Sequence, residues 1–230
     1  PIAYTPDGNP MVGPAFGLPN FWLSEGHSFG ITAAGGGGWQ LAEWMVEGEP
    51  SVDMIGVDPR RFGVVSKKFS KLKNQEAYEH VFIIHYPMEE RPGCRPAKAP
   101  PCYDRLDMRG AVWGQRFGWE RPNWFAPDGV YGKDDYSFRR SNWFEHVGNE
   151  VRTTREQAGL IELSSFSKFE VEGSGARNWL DQIVANNVPK DVGRINLAHA
   201  LNPSGSVRSE FTITRLSDGP WGERFFLVSS

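Results

Sequence analysis

Apolar positions along the chain fall into short runs separated by glycine and proline, with two periodicities alternating. Phe21-Trp22-Leu23, bounded by Pro19-Asn20 and Gly26, reads as a buried strand. Beyond Gly26 a helix is predicted over Ile31 to Glu47. Its far half holds good helix formers (Gln40 to Met45), and it stops at Gly48 with Pro50 beyond. Asp58-Pro59 marks a further helix start with proline at the first helical position, and Ser66 to Gln75 reads as a solvated helix face. Val81 to Tyr86 is strand-like and leads into a proline-rich loop. Further on, a helix is predicted over Val147 to Ala158, closed by Gly159. A period-2 strand follows over Lys168 to Gly173, then an amphipathic helix over Gly175 to Ala185 with Trp179, Leu180 and Ile183 as its stripe. Strands beginning at Gly193-Arg194-Ile195, over Phe211 to Leu216 and over Phe225 to Ser230 complete the pattern, with a turn at Asn202 to Gly205.

One helix departs from ordinary composition. Gly35 to Gly38 are four consecutive glycines inside the Ile31 to Glu47 helix, at a cost of about 1 kcal/mol each relative to alanine. Two readings account for them: a glycine-packed helix in an ordinary strand-turn-helix connection, or a helix face stripped of Cβ atoms so that a backbone or a flat cofactor can lie on it. The turn before the helix also offers free N–H groups and the positive end of a helix dipole.

The 230 residues, 39% hydrophobic and 23% charged, are enough for a sizeable core and more than one domain. A net charge of −3 argues against a nucleic-acid partner. No apolar run approaches the roughly 20 residues of a membrane span. Cys94 and Cys102 lie in proline-rich sequence with no further cysteine to complete a thiolate set, so two free thiols are expected. The histidines at 27, 80, 85, 146 and 199 show no metal-ligand spacing, and no metal is assigned. No G-x-G-x-x-G opens a βαβ unit. Because the chain begins at Pro1 in mid-motif and ends on an apolar strand, we expect an internal fragment of a longer protein.

Three stretches carry a family resemblance. Thr5 to Pro14, Gly17-Leu18-Pro19 and Gly26-His27-Ser28 before a Gly/Ala-rich helix ending Ala42-Glu43 resemble the C-terminal end of the FAD domain in amine oxidoreductases related to D-amino-acid oxidase. The string Tyr103-Asp104-Arg105-Leu106, Arg109 to Val112 and Gly118-Trp119-Glu120-Arg121-Pro122-Asn123-Trp124-Phe125 resembles the linker that follows the flavin domain in sarcosine and dimethylglycine dehydrogenases. Gly159 to Leu180, Ala185 to Ile195 and Leu201 to Leu216 resemble the start of the folate-binding domain of the glycine-cleavage T-protein.

The resemblance implies a multidomain α+β and α/β chain with three segments. These are residues 1–57, the C-terminal end of an FAD-dependent oxidoreductase domain; 58–125, a central linker domain; and 126–230, the N-terminal part of an aminomethyltransferase-like folate-binding domain. It places Gly26, His27, Ser28, Phe29, Gly30, Ile31 and Thr32 beside the flavin, where helix-terminal donors stabilise the charge that hydride transfer leaves on the ring. His27 is read as a packing or positioning group. Glu210 stands where the T-protein usually has the aspartate that binds the pterin; the other reading of it is a solvent-facing strand glutamate.

The implied activity is oxidative demethylation of an N-methyl amine of the sarcosine or dimethylglycine type, with transfer of the one-carbon unit to tetrahydrofolate. FAD and tetrahydrofolate are the implied cofactors, with either an electron-transfer flavoprotein or, in an oxidase, oxygen as the acceptor, in a bacterial cytoplasm or a mitochondrial matrix. Trp113, Trp119, Trp124 and Trp143 are the aromatic faces available to a methylated cation. A folate-fold binding module without redox chemistry is the competing class.

Overall fold

The computed structural model describes residues 3–63, 65–116 and 118–229, in two compact units: 1–97 with 134–142, and 98–133 with 143–230. Phe117 of the aromatic run and Ser230 of the last strand lie outside the described residues.

The first unit is built on a short antiparallel pair, β1 (Met11–Pro14) and β2 (Trp22–Glu25), with Val12 opposite Ser24 and Gly13 opposite Leu23. The long helix α1 runs Gly30–Glu47 and ends at Gly48 in the left-handed conformation, whose N–H donates to the Trp44 carbonyl. Trp44 is the buried residue that fastens α1. Its ring meets Trp22 edge-on at 6.0 Å, and a Cβ on Gly13 would approach it to 2.7 Å, so this strand position accepts only glycine. The expected helix at Asp58 is a single 3-10 turn, Pro59–Phe62, in which the Asp58 carboxylate accepts the Arg60 N–H.

Helix α2 (Lys67–His80) starts where Ser66 accepts the Phe69 N–H at 3.1 Å. Its expected solvated face is only partly so. Lys73 and Glu76 are buried and paired at 2.8 Å, and Glu76 also accepts the Gly93 N–H at 2.6 Å. Burial pushes the Glu76 carboxyl up, but the Lys73 and Gly93 hydrogen bonds and the charges of Lys73 and Arg91 outweigh it and leave its pKa below the ordinary value.

The strand expected over Val81 to Tyr86 does not form. The chain leaves α2 through turns, with the Val81 N–H on the Tyr78 carbonyl and the Ile83 N–H on that of His80; Phe82 and Ile84 are exposed. A strand needs a ladder partner, and among the described residues the sheet of this unit is the β1–β2 pair alone.

The second unit opens with the short helix α3 (Tyr103–Asp107) and a hairpin of β3 (Ala111–Arg116) and β4 (Trp119–Phe125), bulged between Val112 and Trp113. Helix α4 spans Phe144–Glu156, beginning and ending earlier than the apolar spacing suggests because Gln157 already leaves helical geometry. Four antiparallel strands follow: β5 (Ser167–Gly173), β6 (Ile195–Leu201), β7 (Val207–Gly219) and β8 (Gly222–Ser229), in spatial order β5-β8-β7-β6. Helix α5 (Ala176–Ile183) covers one face. Its Ala176 and Leu180 close a core with Val184, Val188, Ala198, Ile213 and Phe225. Trp179 is half exposed, so the buried stripe is the i, i+4 pair 176/180 rather than 179/180/183. Both cysteines are free thiols.

Candidate functional site

Gly26 turns the chain out of β2. It is buried at φ +72°, and a Cβ there would lie 2.7 Å from the Thr5 methyl. His27 follows, with Nε2 3.1 Å from Ser24 Oγ, while Nδ1 is buried without a hydrogen-bond partner. Its ring lies against α1 at Gly37, where an added Cβ would meet Cε1 at 3.5 Å. The packing role expected of His27 fits this contact; its second ring nitrogen remains unmatched.

Phe29 is the N-cap of α1 and supplies no side-chain cap, and the first turn holds no acidic residue. The Thr32 hydroxyl donates back to the Phe29 carbonyl at 2.8 Å, so it does not cap the helix either. Together these leave the first-turn N–H groups of Gly30, Ile31 and Thr32 without a side-chain acceptor. Ser28 is half-buried, whereas Phe29 and Ile31 are exposed, Ile31 almost completely at 97%.

A further half-turn along, Cβ atoms added to Gly35, Gly36 or Gly38 would meet nothing within 4 Å. Three features therefore adjoin one another: hydrogen-bond donors at a positive dipole end, exposed apolar side chains, and helix positions that carry no Cβ. This arrangement suits a flat, largely apolar ligand with a hydrogen-bond-accepting edge, the description of an isoalloxazine. The residues present fit FAD.

Glu210 lies on β7, on the sheet face turned away from α5, since its neighbours Phe211 and Ile213 point into the core. Its register mate on β6 is His199, and Nε2 meets the Glu210 carboxylate at 2.8 Å. The glutamate side chain is 59% exposed and the imidazole 32%. His199 was not legible as a partner because only the β6–β7 register brings the two together. Along the same face lie the pairs Leu197 with Thr212 and Ile195 with Thr214, and on β8 Phe226 opposite Thr214. The pair thus stands at the end of a weakly polar surface, with the imidazole holding the carboxylate in place.

Three of the four tryptophans proposed for a methylated cation have other commitments. Trp124 is buried and stacks on His146 at 5.3 Å; Trp113 stacks on Tyr103 at 4.1 Å and donates to Asp107; Trp119 lies beneath Lys98. Trp143 is the N-cap residue of α4.

Among the described residues no cluster of three or more metal-ligating side chains is found, and no helix is long and apolar enough to cross a membrane.

Comparison with known proteins gives two family matches: the GCVT N-terminal domain over residues 102–230 and the FAD dependent oxidoreductase central domain over residues 47–99. The chain is 40% identical to the mitochondrial dimethylglycine dehydrogenase of Mus musculus over 95% of its length, covering 25% of that protein. It is 33% identical to the formaldehyde-forming 4-methylaminobutanoate oxidase of Paenarthrobacter nicotinovorans over 100% of its length and 28% of the relative's. Mitochondrial sarcosine dehydrogenase of Homo sapiens is 30% identical over 94% of the chain and 27% of that enzyme. The chain thus spans about a quarter of the length of these relatives.

Proposed function

Because the chain belongs to the GCVT N-terminal domain family, joined here to an FAD dependent oxidoreductase central domain as in the dimethylglycine and sarcosine dehydrogenases, we propose that its protein demethylates an N-methyl amine oxidatively with FAD. The observation that carries this reading within the structure is the uncapped N-terminus of α1 beside the unmatched His27 Nδ1 and the open glycine edge.

Gly26 sets the turn, and His27 holds it against α1. The N–H groups of Gly30, Ile31 and Thr32, following Ser28 and Phe29, donate to the electron-rich edge of the flavin. FAD held there would supply a hydride acceptor for the N-methyl carbon of a sarcosine- or dimethylglycine-type substrate, with an electron-transfer flavoprotein as the proposed onward acceptor, in a mitochondrial matrix or a bacterial cytoplasm.

In the second part of the reaction Glu210, held by His199, hydrogen-bonds the pterin of tetrahydrofolate as its nitrogen takes up the one-carbon unit. We assign these roles to three segments: 1–57 to the end of the FAD domain, 58–125 to the linker and 126–230 to the folate-binding portion. The family matches follow the same order, with the FAD dependent oxidoreductase central domain over 47–99 and the GCVT N-terminal domain over 102–230.

The test is a product assay on the full-length protein, supplied with dimethylglycine or sarcosine, an electron acceptor and tetrahydrofolate. Methylene-tetrahydrofolate is the expected product. The Glu210→Ala variant should release free formaldehyde at an undiminished rate of amine oxidation. Formation of neither product would overturn the redox reading; methylene-tetrahydrofolate formation unaffected in the variant would overturn the role of Glu210.

A further inference from the structure

Asp-Gly occurs three times in the chain, at Asp7-Gly8, Asp128-Gly129 and Asp218-Gly219. Each pair carries the same latent reaction. The glycine nitrogen attacks Cγ of the aspartate, an N–C bond forms, the nitrogen's proton leaves with the carboxyl hydroxyl as water, and a five-membered succinimide results. Solvent water then opens the ring at one of its two carbonyls. Opening at the side-chain carbonyl restores aspartate; opening at the main-chain carbonyl leaves a β-linked aspartate, with one extra methylene in the backbone and unchanged mass. Closure needs a carboxyl group free to swing, a nitrogen free to receive it and a backbone free to rotate, and glycine adds no side chain to obstruct the approach.

Two of the three pairs are held. Asp7 Oδ1 accepts from the Thr5 hydroxyl, the Asn9 N–H and Arg61 Nη2, its Oδ2 accepts from Arg61 Nε at 2.7 Å, and the Gly8 N–H is engaged by the Thr5 carbonyl at 3.2 Å. Asp218 is paired with Arg215 inside β7, where Gly219 is the register mate of Gly222 and the Glu172 carboxylate crowds the position a Gly219 Cβ would take. Asp128 differs on every count. It lies in an exposed turn after β4, closed by the Val130 N–H on the Pro127 carbonyl at 3.0 Å, with Gly129 at φ +82°. Among the described residues its carboxylate has no hydrogen bond or ion pair, and the Gly129 N–H has no acceptor. Nothing lies within 4 Å of where a Gly129 Cβ would stand. We propose that Asp128 is a site of spontaneous isomerisation to β-linked aspartate, and thereby a substrate for a carboxyl methyltransferase that recognises this linkage. The α-carboxyl group that isomerisation frees takes the methyl of S-adenosylmethionine as an ester, releasing S-adenosylhomocysteine. Attack of the glycine nitrogen on that ester expels methanol and returns the succinimide. The proposal needs neither the flavin nor Glu210.

The experiment ages the full-length protein in neutral buffer, folded and in urea, and maps β-linked aspartate by electron-transfer fragmentation of its tryptic peptides. In the folded protein the β-linked form is expected at residue 128 at least tenfold above residues 7 and 218. In urea the three pairs should react within threefold of one another. The aged folded protein should also accept labelled methyl groups from S-adenosylmethionine in the presence of an isoaspartyl carboxyl methyltransferase. Asp128→Glu keeps the charge but demands a six-membered ring, and should lose at least nine-tenths of that label. Absence of the β-linked form at residue 128, or equal amounts at all three pairs in the folded protein, would overturn the proposal. The same tenfold preference in urea would overturn the structural cause, and undiminished labelling of Asp128→Glu would overturn the assignment to Asp128.

Discussion

Replacing Gly35, Gly36 and Gly38 together by alanine separates the two explanations of the glycine run in α1. Each is exposed on a regular helix, none has a left-handed backbone, and a Cβ built on any of them has no neighbour within 4 Å. The substitution therefore meets no steric cost in the chain itself and recovers helix propensity of about 0.8–1 kcal/mol per site. The triple variant of this chain should gain about 2.5–3 kcal/mol, a rise in Tm of roughly 6–12 °C followed by far-ultraviolet circular dichroism. Gly37→Ala is the internal comparison, because its Cβ makes ordinary contact with the His27 ring at 3.5 Å and Val12 at 3.8 Å. In the full-length protein the same three methyl groups should reduce flavin occupancy, measured as flavin released per protein on denaturation. A triple variant that melts lower than its parent would show that the face is packed, against this structure. A variant that is stabilised and retains its full flavin content would refute the idea that the glycines make room for the ring.

The other predictions concern the cores and the buried pair. Leu180→Ala removes a 1% exposed side chain from the α5–sheet core and should cost about 2–5 kcal/mol in urea unfolding; a loss below 1 kcal/mol would mean the helix is not seated as described. Gly13→Ala forces a Cβ to 2.7 Å from Trp44 and should lower Tm and red-shift tryptophan fluorescence, whereas unchanged emission would contradict the contact. Glu76 has a lowered pKa when folded, so its contribution to stability is present above the ordinary carboxylate pKa of about 4.3 and is lost as pH falls below it. Glu76→Gln should flatten the acid limb of a stability profile, and an unchanged limb would remove Glu76 as its cause. Lys73→Met leaves that carboxylate buried without its cation and should cost about 3 kcal/mol at pH 7, with the loss smaller at pH 4.

Where local rules and tertiary packing agree, the elements were legible beforehand. Helix α1 begins within one residue of its expected start and stops at Gly48 as its composition demands. Alternation identified β5 and β7, and a glycine turn separates β7 from β8. What escaped depended on partners distant in sequence. Val81 to Tyr86 has strand composition but no strand to pair with, so it stays in turns. The polar α2 hides Lys73 and Glu76 because Gly93, seventeen residues away, brings its N–H to the carboxylate. The β3–β4 hairpin was visible only as aromatic density, since its bulge breaks the alternation.

The candidate sites follow the same division. The turn and helix start at 26–32 are local and could be marked on the sequence, while the unmatched Nδ1 of His27 required packing against Gly37. Glu210 was singled out by the resemblance to the T-protein alone, and His199 lies eleven residues away and reaches it through strand register.

The most direct test of the central claim is an anaerobic titration of the purified full-length protein with dimethylglycine and sarcosine, followed by visible absorption. An oxidised flavin band near about 450 nm, bleached stoichiometrically by one of these amines, is the expected result. A protein that carries no flavin, or whose flavin band neither amine bleaches, would contradict amine oxidation by this family member.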